Sequence, residues 1–169
     1  MIIRFGNKKP SISKSAFIAE TACIIGDVSI GDRSSVWFNS VIRGDSACIS
    51  IGNGCSIQDN VVIHTDDNEV KIGDSVIIGH GSVIHGKLIE NNALIGMNST
   101  ILHGAEIGEY AIVGAGALVP PNYKVAANSV VMGVPCKEVR KTNEKDLETI
   151  RKTLSNYGKL TEEYIKMKR

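Results

Sequence analysis

Aromatic side chains are scarce in this 169-residue chain, at 5 %, and no uninterrupted apolar run approaches the roughly 20 residues that cross a bilayer as a helix. The first shortage argues against a conventional sandwich core built on large rings. The second, with the lack of a basic leader followed by an apolar stretch, gives a cytoplasmic location and no membrane partner as the expectation. Cysteine is thinly spread: Cys23, Cys48, Cys55 and Cys136 form no CxxC pair, which favours neither a zinc ribbon nor a disulfide framework. Neither sign of charge dominates. With 19 Lys and Arg against 18 Asp and Glu, a net charge of +1 gives nucleic acid no electrostatic hold. What the chain does contain is glycine, 17 residues, and enough hydrophobic residues, 43 %, for one globular domain. Small side chains must carry much of the packing.

An aliphatic residue recurs every six positions, at Ile18, Ile24, Ile30, Val36 and Ile42. After a step of nine the series resumes at Ile51, Ile57 and Ile63, after another nine at Ile72, Ile78 and Ile84, and after five it runs from Ile89 to Val131. No helical period fits. Two places before the aliphatic residue the side chain is usually small or branched, as at Ala22, Ser40, Cys55, Val61, Ser82, Ala93 and Ala117, which marks an inward position with little room. Glycine often follows the aliphatic residue, as at Gly52, Gly73, Gly79 and Gly96, where a corner would turn the backbone sharply. Each unit then reads as one short strand plus one corner, and three units close a coil. The pattern resembles the left-handed parallel β-helix of the hexapeptide-repeat superfamily, and the handedness comes from that resemblance.

The expected organisation is a lead-in strand within residues 1–16, a β-helix over 17–135, and a C-terminal segment over 136–169. In the last, Leu147, Ile150, Leu154, Tyr157, Leu160, Tyr164 and Met167 recur at spacings of three and four and predict a helix over about 143–167. Asn143 followed by Asp146 predicts its N-terminal cap. The fold class is thus mainly β, with one terminal helix against the solenoid wall or across a subunit boundary.

The four histidines are read by register. His64 follows Ile63 and His85 follows Ile84, three repeat steps apart, so both occupy one corner in successive coils. Coils rise by about 4.8 Å, somewhat more than the separation of two nitrogens on one zinc, and a modest tilt of the rings closes the difference. His80 lies two places after Ile78, at the preceding corner, out of reach of that pair within one chain. A threefold assembly would bring it to a neighbour's pair. Three imidazoles with one coordination position open is the arrangement that makes zinc-bound water a hydroxide source near neutral pH. His103 falls one coil further on, outside this column.

The segments VIRGD at 41–45, IQDN at 57–60, VIH ending at His64 and GHGSVIHG at 79–86 closely resemble the γ-class carbonic anhydrases. The resemblance implies reversible hydration of carbon dioxide to bicarbonate by metal-bound hydroxide, in a homotrimer whose sites take His64 and His85 from one subunit and His80 from the next. It implies zinc, while imidazole ligands also suit iron(II) or cobalt(II). It makes Arg43 and Asp45 an interface ion pair near the metal. Gln58 is expected to orient the nucleophile and Asp59 to fix a histidine tautomer. The chain departs from the pattern in the segment 65–71, which is short where relatives carry a long acidic loop with proton-shuttling glutamates. Asp67 is the proton relay expected in its place, with Asp66 and Glu69 as solvated neighbours, and Tyr157 of the terminal helix is expected to reach the site. Two other readings stand beside this one. A hexapeptide-repeat acyltransferase would bind acyl-coenzyme A along the solenoid with a histidine as base, and a metal-binding relative would keep the site without useful hydratase activity.

Overall fold

The computed structural model describes residues 1–167 of the chain, so the last two positions of the expected C-terminal segment, 168–169, lie outside the described residues. Parallel strands stack as a solenoid of about 7 turns closed by one C-terminal helix. The six-residue period fixes which side chains stack. One ladder carries Val36, Ile57, Ile78, Ile95, Val113 and Val131 in register. A second carries Ile24, Ile42, Ile63, Ile84, Ile101 and Val119. A third carries Ile30, Ile51, Ile72, Ile89, Ile107 and Val125. All of these residues are buried, and the small side chains two places before them are buried as well. The core is therefore three stacks of aliphatic groups facing a narrow common axis, with dispersion and burial shared almost evenly along its length.

The glycines that follow the aliphatic residues serve close approach between coils, a different purpose from the sharp turn expected of them. A Cβ on Gly79 would lie 2.7 Å from the backbone nitrogen of Met97 in the next coil. The turn itself falls two residues later, where Asn39, Asn60, Gly81, Asn98 and Gly116 hold positive φ in successive coils. Asparagine tolerates that left-handed conformation better than other non-glycine residues, which explains its recurrence there.

Ladder pairing begins earlier than residue 17. Ile2 and Ile3 pair with Ile24 and Ile25, and Ser11 and Ile12 with Ser29 and Ile30. At the other end the strand Lys137–Lys141 runs antiparallel against Ser129–Met132. Its side chains are exposed and mostly charged, which suits a strand that ends a sheet without offering an edge to another chain.

The helix Glu144–Met167 follows. Asn143 Oδ1 accepts from the Asp146 amide at 3.1 Å and Asp146 Oδ2 accepts from the Asn143 amide at 2.8 Å, a reciprocal cap. Arg140 clamps the same carboxylate with both guanidinium nitrogens and holds its pKa at about 2. Ile150 and Thr161 are buried, and Tyr157, Tyr164 and Ile165 pack on the solenoid, whereas Leu160 and Met167 of the expected apolar face are exposed. The helix is turned so that its tyrosines meet rings on the wall. Trp37 lies 5.3 Å from Tyr157 and 5.4 Å from Tyr164, and Phe17 lies 5.2 Å from Trp37. Most of the few aromatics are thus spent in one place, on docking the helix.

Asn143→Ala removes one arm of the cap and is expected to lower stability by about 1 kcal/mol in chemical denaturation. The Asp146 carboxyl titrates lower in the folded than in the unfolded chain, so its contribution is complete above the ordinary value of 3.8 and is lost as pH falls through about 2. Far-ultraviolet circular dichroism on acid titration should show the helix of the wild type outlasting that of Asp146→Ala between those limits.

Candidate metal centre

Arg43, His64 and His85 form one column, because Arg43 pairs with His64 and the strand ending at His64 pairs with the strand that precedes His85. The imidazoles of His64 and His85 stand with centroids 5.6 Å apart and planes 58° from each other, side by side on successive coils and tilted inward. Asp45 reaches this pair from the long strand Val41–Ile51, which carries an insertion round the corner. Its Oδ1 lies 3.1 Å from His64 Nε2, and its Oδ2 accepts from Arg43. Lys8 secures the bend by donating to the carbonyls of Asp45 and Ser46 at 2.7 and 2.9 Å. Burial opposes the charge on Asp45, but donation from Arg43 and His64 outweighs it and holds the carboxyl below its ordinary value. An ionised carboxylate can only accept, so His64 donates from Nε2, and in the neutral ring that a metal requires its lone pair lies on Nδ1.

Asp66 stands over that lone pair. Its Oδ1 is 3.7 Å from His64 Nδ1 and its Oδ2 is 3.4 Å from His85 Nε2. Among the described residues, His64, Asp66 and His85 are the group whose donor atoms, all within 4.8 Å of one another, could hold a metal ion. The donor chemistry fits a divalent cation: two imidazoles and one carboxylate converge on a partly open corner. Asp66 was legible in the sequence only as a member of an acidic turn. Asp67 points elsewhere, with Oδ1 3.8 Å from His103 Nδ1, and Asn68 Nδ2 lies 3.2 Å from His103 Nε2. His103 is nearer the pair than its register indicates, for its ring lies 5.9 Å from that of His85.

His80 belongs to a separate group at the preceding corner. Asp59, aligned with it one coil earlier, has Oδ2 2.8 Å from His80 Nδ1. The carboxylate accepts from Nδ1–H, which in the neutral ring leaves the lone pair on Nε2, towards which the Tyr157 hydroxyl is directed at 3.1 Å. Burial raises the pKa of that hydroxyl, and the charge on Asp59 adds to the effect, so Tyr157 stays protonated and donates. Gln58 is buried and accepts with Oε1 from the His80 amide at 3.2 Å. Gln58, His80 and Tyr157 line the rim of a mostly apolar cavity of about 410 Å³ that extends under the helix to Met97 and Thr153. Of the residues singled out in the sequence, Arg43, Asp45, His64 and His85 meet at one corner and Gln58, Asp59, His80 and Tyr157 at another, with Asp67 on the turn beside the first.

A β-helix whose coil corners gather histidines and carboxylates in these two groups defines a hexapeptide-repeat protein. The model of the bacterial transferase hexapeptide family, in its six-repeat form, matches residues 86–121. A Methanocaldococcus jannaschii protein named "Probable carbonic anhydrase" is 53 % identical over 152 residues, which cover 89 % of this chain and 96 % of that one. "Gamma carbonic anhydrase 2, mitochondrial" of Arabidopsis thaliana is 38 % identical over 92 % of this chain, which spans only 59 % of that relative's length. A Bacillus cereus crystal structure, provisionally described as an acetyltransferase, superposes with a TM-score of 0.95 at 39 % identity, covering 98 % of this chain and 97 % of that one. The chain belongs to the γ-class carbonic anhydrase-like family of hexapeptide-repeat proteins.

Proposed function

We propose that this protein catalyses the reversible hydration of carbon dioxide to bicarbonate, at a zinc site completed between neighbouring subunits of a homotrimer. The observation that carries the reading is the division of the histidines. His64 and His85 offer their donors together, while His80 stands at another corner with Asp59 on its Nδ1 and its Nε2 accepting from the Tyr157 hydroxyl, a bond that a metal would replace. A ligand prepared in this way and kept apart from its partners serves a neighbour's site. A carbonic anhydrase name on a relative 53 % identical over nearly its whole length supports the same reading. Imidazole donors also accommodate iron(II) and cobalt(II), and zinc is the default for three such donors.

Zinc held there would supply the Lewis acidity that makes water nucleophilic near neutral pH. The chain's own residues supply order. Asp45 orients His64, and Arg43 holds Asp45. Gln58, with its Oε1 engaged by the His80 amide, keeps its amide N–H groups for an oxygen of the reactant. This gives the side chain a donor's part in orienting the nucleophile, the role expected of it from the sequence. Asp67 is exposed on the turn beside the first corner and there takes the proton released by hydration on its way to solvent.

Asp59→Asn leaves His80 in place but weakens the hold on its tautomer. It is expected to lower zinc affinity about 10- to 100-fold, read by competition with a chromophoric chelator, with the oligomer unchanged. The function itself is tested by stopped-flow hydration of carbon dioxide with metal-loaded protein, alongside acetyl-coenzyme A turnover with amine and hydroxyl acceptors. Metal-dependent hydration without acyl transfer is the expected result. Metal-loaded trimer that hydrates no faster than buffer would refute the enzyme reading.

A further inference from the structure

We infer that Asp66 is a metal ligand supplied in cis, so that each chain captures its metal ion through His64, His85 and Asp66 before a neighbour's His80 completes the site. The inference rests on the proposed centre and adds a fourth protein ligand to it, so that water would take a fifth position. Three observations support it. The two carboxylate oxygens are divided between the two rings, Oδ1 facing His64 Nδ1 at 3.7 Å and Oδ2 facing His85 Nε2 at 3.4 Å, a span that one ion could bridge. The nitrogen of His64 that Asp66 faces is the one Asp45 leaves free, since Asp45 already takes Nε2 at 3.1 Å. The turn that presents Asp66 is also anchored on both sides. Thr65 is buried and its hydroxyl donates to the Asn68 carbonyl, while the Asn68 side chain bonds Asp67 at 3.1 Å and reaches His103 at 3.2 Å.

Two imidazoles and a carboxylate on one face form a set that binds divalent first-row metals without further protein ligands. A site built in this way can load in a single chain. Assembly of the trimer then adds the third imidazole, and the metal joins subunits instead of waiting for their contact.

Cobalt(II) provides the test, because affinity and visible absorption report its ligands without any measurement of catalysis. Metal-free wild type, Asp66→Asn, His80→Ala and the double variant would be titrated with cobalt(II), with native mass and circular dichroism recorded for each. Asp66→Asn is expected to weaken binding about tenfold or more and to change the absorption bands. His80→Ala is expected to retain weakened binding of one cobalt per chain, and the double variant to lose it. Asp66→Asn binding with wild-type affinity and spectrum would overturn the role of Asp66 and leave the three-histidine centre standing. Wild type that binds no cobalt would overturn the centre itself. Asp66 is on an exposed turn, and a folded variant is checked by its unchanged mass and dichroism.

Discussion

Protein carrying His80→Ala is expected to lose carbon dioxide hydration to background and to give up its metal to a mild chelator, although His64 and His85 are untouched. The expectation follows from the register, which puts His80 in the ladder with Asp59 and Met97 and away from His64 and His85, and from the proposal that it completes a neighbour's pair. A homogeneous trimer of this variant has no complete site. A trimer of His64→Ala has none either, since every subunit brings His80 to an incomplete partner. Refolded together, the two variants form mixed trimers in which a His80→Ala chain contributes His64 and His85 and a His64→Ala chain contributes His80. With random assembly about a quarter of the interfaces hold a full set, so about a quarter of wild-type activity should return. Hydration rates before and after mixing measure this. A site formed within one chain gives no recovery on mixing.

Gln58→Ala is expected to lower kcat about 100-fold while metal content stays at the wild-type level. Its side chain is buried beside His80, fixed by one hydrogen bond and directed along the wall of the 410 Å³ cavity. Its hydrogen bond is to the backbone amide of His80 and not to the ring, so its removal should leave affinity alone. Stopped-flow kinetics and metal analysis on the same preparation separate the two effects. Loss of metal in parallel with activity would make Gln58 a structural support for His80 through the amide it accepts from, with no part in orienting the reactant.

Much of this fold could be read from the sequence because a solenoid repeats one local rule. Ile63 and Ile84 announce their stacking by spacing alone, and the position of a histidine relative to them tells its corner. Asn143 and Asp146 were legible for a similar reason, since a reciprocal cap is made by residues three apart. What escaped depends on contacts that spacing does not record. The strand Lys137–Lys141 is charged and exposed, with none of the apolar alternation that marks a strand, and exists because Ser129–Met132 offers it an edge. Asp66 lies in a turn whose path is set by the buried Thr65 and by His103, a residue 38 positions after the turn begins at Thr65. His103 is one register position off the column of His85, yet side chains at a corner fan outward and its ring still comes beside His85. The glycines were located correctly and their purpose was not, because a clash with the coil above is invisible in the six residues around Gly79.

Native mass spectrometry of protein purified without chelator, joined to elemental analysis of the same sample, addresses the shared centre most directly. A trimer holding three zinc ions that resist a mild chelator, and that the same chelator strips from His80→Ala, is the expected result. A His80→Ala trimer that keeps all three ions against that chelator would contradict the shared centre.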